Sequence, residues 1–219
     1  MAFSPFTAGL FTAGQVLTAA QMDTYIRDNI MAGGPVYATE AARNADITSP
    51  FEGQRAYITG PTVAAPTGAT FATLPSGICT IYNGSVWVCT TQIAGVTNTQ
   101  GTTTSTSFTP TLTSGGTNVS VTIVTGTTAL VTQTAALANS VTGAGAYMGV
   151  AVSGATTLAA STESALYNGG TAAQYFLASA TAIITGLTAG TNTFTLQYKV
   201  GGSGTATFLS RQLIVQGIA

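Results

Sequence analysis

The sequence contains no histidine and few charged residues of either sign. Its 219 residues include five Lys and Arg and six Asp and Glu, or 5% of the chain, against about a quarter in an ordinary soluble domain. Without histidine, a His-dependent catalytic triad, a His acid–base pair and the common zinc sites are excluded. We therefore expect a protein that is not an enzyme, with no catalytic residue, no metal site and no cofactor.

The few charges are concentrated near the N-terminus. Eight of them precede residue 56, and none lies between Arg55 and Glu163. A carbohydrate-cleaving enzyme needs a pair of carboxylates, which this interval does not supply. The net charge is −1 and there is no basic cluster, so we expect no binding to nucleic acid, which requires Lys and Arg to neutralise phosphates.

Long apolar runs are also missing, although the mean hydropathy is +0.39. Gly and Thr interrupt every apolar stretch before it reaches the roughly 18 residues of a membrane-spanning helix. We therefore expect no membrane insertion.

The two cysteines, Cys79 and Cys89, flank an Asn83-Gly84 pair. This pair favours tight hairpin turns and predicts a hairpin over residues 78–89. A two-residue loop would place the thiols on opposite faces of the hairpin, because side chains alternate along a strand. A three-residue loop would place them on one face, where a disulfide could form.

Threonine is abundant, with 43 residues. The polarity of the chain therefore comes from hydroxyl groups and not from charge. Net charge and interspersed ions keep protein surfaces apart in solution. We therefore expect other subunits to cover much of this surface.

One helix is predicted with complete start and stop signals, over residues 14–34. Thr18 and Gln21 have the spacing of a capping box. Gly33 and Gly34 followed by Pro35 end the helix. Its apolar stripe either packs on the core of its own domain or anchors the chain to other copies or to a host structure.

Residues 1–16 are apolar and non-repetitive. Three Phe side chains would be costly to expose in a tail unless they dock on a neighbour. The segment is either a disordered tail or an attachment arm, and we predict that residues 1–34 form an attachment arm and helix. The candidate attachment residues are Phe3, Phe6, Phe11, Leu17, Met22, Tyr25, Ile26 and Ile30.

The remainder of the chain is predicted to be mainly β. We divide it into a small β module with the Asn-Gly hairpin (35–92), a Thr/Ser-rich linker (93–107) and a C-terminal antiparallel β-sandwich (108–219). Short alternating strands separated by Gly, Asn and Ser are typical of a sandwich or jelly roll. The predicted strands are 108–113, 119–124, 129–136, 146–152, 174–184, 192–200 and 205–216.

Two of these strands are apolar on both faces, over residues 175–184 and 208–215. A strand that is apolar on both sides is normally covered on both sides. In a two-layer sandwich the second cover is either a loop or another subunit, and we expect another subunit, in a trimer. The candidate interface residues are Tyr175, Phe176, Leu177, Phe208, Leu209 and Leu213.

Three segments resemble tailed-bacteriophage virion proteins of the tail fibre or minor tail protein type. FTAGQVLTAAQMDTYIRDNI (11–30) resembles their N-terminal segment. ATEAARNADITSPFEGQRAYIT (38–59), followed by IYNGSVWV (81–88), is similar to the small β module often found after it. GLTAGTNTFTLQYKVGGSGTATFLSRQLIVQ (186–216) resembles the last two strands of their trimeric jelly-roll knobs.

The resemblance implies a non-enzymatic structural protein on the virion surface, on either the tail or the capsid. It would be a short homotrimeric fibre, attached to other virion proteins by its N-terminus and displaying a C-terminal knob. As a tail fibre, it would bind a host surface glycan or protein. The alternative is a capsid decoration or head-fibre protein that binds and stabilises the shell. The resemblance supplies no catalytic residues.

Overall fold

The computed structural model describes residues 34–62, 65–67 and 77–219. The predicted arm and helix lie outside the described residues, except for Gly34. The same is true of the eight candidate attachment residues: Phe3, Phe6, Phe11, Leu17, Met22, Tyr25, Ile26 and Ile30. Their attachment role stays a prediction.

Residues 34–92 contain a four-stranded sheet with strand order β1-β2-β4-β5. Its β1–β2 pair is parallel and the other pairs are antiparallel. The strands are β1 (Val36–Tyr37), β2 (Arg55–Ile58), β4 (Ile78–Tyr82) and β5 (Trp87–Cys89).

A short helix, α1 (Glu40–Asp46), follows β1. The Thr39 hydroxyl oxygen caps it by accepting a hydrogen bond from the Ala42 backbone N–H at 3.1 Å. Glu40 and Arg43 are the buried residues of α1, so two charged side chains lie beneath it.

The hairpin predicted over residues 78–89 is confirmed, but its loop has four residues. Tyr82 pairs with Trp87, and Thr80 pairs with Cys89. Asn83 Oδ1 accepts hydrogen bonds from the backbone N–H groups of two loop residues, at 2.9 and 3.1 Å. This register puts Cys79 on the exposed side and Cys89 on the buried side, and both thiols are free.

The rest of the described chain forms two packed antiparallel sheets, so the predicted mainly-β sandwich is confirmed. One sheet has the order β11-β10-β13-β8-β3, and the other β12-β9-β14-β6 with β7 also paired to β14. The strands are β3 (Ala65–Thr67), β6 (Ile93–Thr97), β7 (Gly101–Thr103), β8 (Ser120–Thr125), β9 (Thr128–Asn139), β10 (Ala146–Gly154), β11 (Leu166–Asn168), β12 (Phe176–Thr185), β13 (Gly190–Val200) and β14 (Ala206–Ile218).

The strand order is that of a jelly roll. Leaving aside the short β3 and β7, the eight strands from β6 to β14 cross from one sheet to the other at every step except the β10–β11 hairpin. When these eight strands are numbered 1 to 8 along the chain, the two sheets have the strand orders 1-8-3-6 and 2-7-4-5. This is the arrangement of two interlocked Greek keys. The jelly-roll character predicted for the C-terminal part is therefore confirmed.

Strict alternation of side chains builds the core between the two sheets. On β13, Phe194, Leu196 and Tyr198 point inward and are fully buried, while the Thr and Gln between them are partly exposed. This alternation is the reason that β13 is recognisable in the sequence.

Residues 93–107 are not a linker as predicted, because β6 and β7 lie there and both pair with β14. Conversely, no strand forms over residues 108–113, where the structure has single bridges at Thr109 and Thr113. Pro110 cannot donate a ladder hydrogen bond, which explains why this segment does not form a strand. Six of the seven predicted strands are confirmed, with shifted ends.

Candidate functional site

Strand β12 is an edge strand and the most exposed apolar element among the described residues. It pairs with β9 on one side, and no strand of the described chain pairs with its other side. An edge strand presents a row of unpaired N–H and C=O groups, which natural proteins usually protect with charge, Pro or a bulge. The ten residues of β12, FLASATAIIT, contain neither charge nor Pro.

Large apolar side chains on β12 face solvent. Phe176 is 57% exposed, Leu177 67% and Ile183 61%. Tyr175, immediately before the strand, is 48% exposed. Tyr175, Phe176 and Leu177 are consecutive, whereas Ile183 lies six residues after Leu177 on the same strand, and exposed apolar side chains grouped in this way indicate an interaction site.

The side of the β12-β9-β14-β6 sheet that is turned away from the core, here called the outer face, continues this surface. Leu177 lies beside Ala136 of β9, which lies beside Leu209 of β14. In the next two rows of side chains across β9 and β12, pairs of hydroxyl groups are hydrogen-bonded. Thr134 Oγ1 lies 2.9 Å from Ser179 Oγ, and Thr132 Oγ1 lies 2.8 Å from Thr181 Oγ1. None of these side chains is charged.

Four of the six predicted interface residues lie on this surface: Tyr175, Phe176, Leu177 and, partly exposed, Leu209. For Phe208 and Leu213 the interface prediction is wrong. Both are fully buried in the core of the chain itself, where a second subunit cannot reach them.

A β-bulge in β14 explains this error. The pairing with β9 shifts between Leu209 and Gln212, and Ser210 there adopts a left-handed φ of 50°. The extra residue changes which positions point inward, so Phe208 and Leu213 both face the core. Uninterrupted alternation would place them on opposite faces.

The bulge also turns Arg211 into the core. Its guanidinium is 1% exposed, and it donates hydrogen bonds to Tyr198 Oη at 3.1 Å, to the Thr99 carbonyl at 2.9 Å and to the Gly115 carbonyl. Burial raises the pKa of the Tyr198 phenol, and the Arg211 charge opposes this shift. The sequence signal for this site is an arginine within an apolar strand.

An aromatic cluster lies on the other sheet. The rings of Tyr147 and Tyr167 are 4.7 Å apart. Lys199 Nζ lies 5.1 Å from the Tyr147 ring centroid and 5.2 Å from that of Phe108, within the range of cation–π attraction. Gly145 leaves room for both tyrosines, since a Cβ there would lie 2.5 and 2.6 Å from their rings. No local sequence pattern marks this cluster, because its members come together only through the pairing of β10 with β11 and β13.

A pocket of about 190 Å³ lies beneath α1 and extends to β8 and β13. Arg43 stacks on Trp87 at 4.5 Å and donates to Thr80 Oγ1 at 3.1 Å. Glu40 accepts hydrogen bonds from Thr62. These contacts hold α1 on its sheet.

Burial raises the pKa of the Cys89 thiol, which lines this pocket, to about 11, so the thiol is protonated and unreactive near neutral pH. Residues 34–62, 65–67 and 77–219 hold no group of three or more His, Cys, Asp or Glu side chains able to bind a metal ion. In the same part of the chain, no helix has the length and apolar character needed to cross a membrane.

No family model and no curated protein matches the chain. Among solved structures, infectious bursal disease virus (Gx strain) aligns over 69% of this chain and 41% of the other, at 13% identity and a TM-score of 0.36. Isomalto-dextranase of Arthrobacter globiformis T6, complexed with panose, aligns over 66% of this chain and 26% of the other, at 18% identity and a TM-score of 0.29. The chain thus spans less than half the length of either, and TM-scores this low support no argument about function.

Proposed function

We propose that the chain is a non-enzymatic structural protein of a tailed-phage virion. It assembles as a short homotrimeric fibre, attaches to other virion proteins through residues 1–34 and displays its jelly roll at the virion surface. The observation that carries the proposal is the uncharged surface formed by β12 and the outer face, with the exposed apolar side chains at the start of β12. A solitary soluble domain has little reason to expose the consecutive residues Tyr175, Phe176 and Leu177.

Two further observations support the proposal. The segments at 11–30, 38–59 and 81–88 resemble tail fibre and minor tail proteins. The described residues after Arg55 carry three charged side chains, one of which, Arg211, is buried. A surface with so little charge is suited to contact with neighbouring subunits, because no ion has to be desolvated there.

The trimer is tested by measuring the mass of the full chain by analytical ultracentrifugation at micromolar concentration. A mass of three copies, or a multiple of three, is the expected result. A stable monomer would contradict self-association altogether, and a dimer would contradict the trimer.

Attachment through residues 1–34 is tested by virion incorporation. Replacing both Ile26 and Ile30 with Asp should abolish incorporation, because the predicted apolar stripe would be lost. Val141→Asp, at a 41% exposed position of the jelly roll, is a matched control that should be incorporated normally. Normal incorporation of the Ile26/Ile30 variant would show that this helix is not the anchor.

The position on the virion separates a tail fibre from the alternative, a capsid decoration or head-fibre protein. For the tail fibre, the cluster of Tyr147, Tyr167 and Lys199 is a candidate contact for a host surface glycan or protein, because it combines aromatic rings with the single lysine of the chain. We expect labelled antibody to decorate the tail in electron micrographs. Decoration of the capsid would favour the alternative, and the absence of label from intact virions would contradict both.

A further inference from the structure

The side chains of β12 form a palindrome. Read outward from Ala180, each residue has a counterpart of the same kind on the other side: Ser179 and Thr181, Ala178 and Ala182, Leu177 and Ile183, Phe176 and Ile184. When such a strand pairs with a copy of itself in the antiparallel direction, residues of the same kind lie opposite each other.

An antiparallel pair of β12 strands, centred on Ala180, would match every residue with its counterpart. Leu177 of one copy would lie opposite Ile183 of the second copy, and Ser179 opposite Thr181 of the second copy. These residues share the outer face, because side chains alternate along a strand. Phe176 would lie opposite Ile184 of the second copy on the inner face.

The hydroxyl rows on the outer face would continue across this contact. Thr134 and Ser179 are already hydrogen-bonded across β9 and β12, as are Thr132 and Thr181. The pairing would place Thr181 of the second copy beside Ser179, at the distance of a directly opposed cross-strand pair, about 5 Å between Cβ atoms. Each row would then run through both sheets.

We propose that β12 of one chain pairs with β12 of a second copy, about a two-fold axis at Ala180. The pairing joins the two β12-β9-β14-β6 sheets into one continuous sheet. It satisfies the backbone groups on the free side of β12 and packs Leu177 and Ile183, which are 67% and 61% exposed, side by side across the contact. No charge opposes the contact, because residues 164–198 contain no Asp, Glu, Lys or Arg.

This inference rests on the self-association in the proposed function, but not on its trimer. A two-fold contact uses the same patch on both copies, whereas a ring of three joins two different patches. Pairing alone gives a dimer. Pairing combined with the trimer gives six copies.

The test is the mass of the full chain, with charges placed at positions that the pairing brings together. The wild type should contain two or six copies. Leu177→Lys should halve that number, because the ammonium would face Ile183 of the second copy. Both positions are exposed on the outer face, so circular dichroism should show an unchanged fold.

A second substitution, which adds an opposite charge, distinguishes this pairing register from any other. Leu177→Lys combined with Ile183→Glu should restore the wild-type mass, since each lysine then faces a glutamate of the second copy. Positions 177 and 183 are about 20 Å apart on one strand, so the two charges cannot neutralise each other within a chain. The matched control, Leu177→Lys with Ile183→Lys, should stay at the halved mass.

An odd number of copies in the wild type, or failure of the lysine–glutamate variant to recover the mass while it remains folded, would overturn the pairing. A mass of three copies that Leu177→Lys does not change would overturn the pairing and leave the proposed trimer standing. A mass of two copies with the expected rescue would support the pairing and contradict the trimer. A monomer at all concentrations would contradict both.

Discussion

Arg211 is a buried cation that is held by neutral groups. Its hydrogen bonds go to a phenol and two backbone carbonyls, and no carboxylate among the described residues is bonded to it. One of its nitrogens, Nε, is buried without a partner. Such a group is costly to bury, but it fastens residues 99 and 115 to β14, and those residues lie far from it in the sequence.

We expect Arg211→Ala to lower the free energy of unfolding by about 3–5 kcal/mol, because it leaves buried carbonyls unpaired and opens a cavity. Arg211→Met should lower the free energy of unfolding by less, because methionine retains most of the side-chain volume of arginine. Urea unfolding measures both. Arg55→Ala, at an exposed site, is the control and should change stability by less than about 0.5 kcal/mol. Equal losses for Arg211→Ala and Arg55→Ala would contradict the role given to Arg211.

Burial of the Cys89 thiol makes the stability of the fold depend on pH in the alkaline range. Its folded pKa is raised from 9.0 to about 11, mainly by burial, so the folded chain holds this proton more tightly than the unfolded chain. Stability is therefore fully present below pH 9 and falls as the pH rises towards 11. At about 1.4 kcal/mol per pKa unit, the loss approaches about 3 kcal/mol.

Urea unfolding at pH 8 and pH 10 checks this prediction. Cys89→Ala should reduce the loss of stability between the two values, whereas Cys79→Ala, at an exposed thiol, should leave it unchanged. An identical pH dependence in the wild type and Cys89→Ala would show that burial of Cys89 is not the cause.

Among the secondary-structure elements, those with a strong local pattern were predictable and those defined by distant partners were not. β13 alternates over its whole length and was recognised from the sequence. β6 has five residues, including Gly95, and becomes a strand because it pairs with β14, which lies over 100 residues later. Nothing in its own sequence distinguishes it from a Thr-rich loop.

The candidate site was predictable to a similar extent. The exposed apolar residues of β12 were found from the sequence because both of its faces are apolar. The bulge at Ser210 could not be predicted, because no glycine marks its left-handed residue, and it places Phe208 and Leu213 on the same, core-facing side. The Tyr147 and Tyr167 cluster depends on the pairing of β10 with β11, which local alternation does not reveal.

Gly95 tests whether β6 is an integral part of the sandwich. A Cβ at this position would lie 2.7 Å from the Thr67 carbonyl oxygen and 2.9 Å from that of Ser120. We expect Gly95→Ala to destabilise the protein by about 1–3 kcal/mol, because backbone would have to move. Ala94→Ser, on the outer face, is the matched control. No difference between the two in thermal unfolding would indicate that residues 93–97 are only loosely attached.

In the whole molecule, the small module and the jelly roll share one core. Ile58, Ile78 and Cys89 belong to the same buried cluster as the inward residues of β8, β9, β13 and β14. The Thr/Ser-rich composition of residues 93–107 predicts a linker between two separate parts, but the packing joins these parts.

A fragment containing residues 108–219 should therefore fail to fold cooperatively. It lacks β6 and β7, which pair with β14, and the module residues that complete the core. Differential scanning calorimetry of this fragment and the full chain checks the expectation. A sharp transition in the fragment at the melting temperature of the full chain would contradict it.

The hydroxyl character of the outer face has a consequence for the salt dependence of the proposed self-association. Ionic strength weakens contacts between exposed charges, and here there are almost none to screen. We expect the association constant to be nearly the same at 50 mM and 1 M sodium chloride, and to increase in sulfate, which strengthens apolar burial. Sedimentation at these salt concentrations provides the measurement. The proposed assembly would therefore keep its integrity in both fresh water and brine.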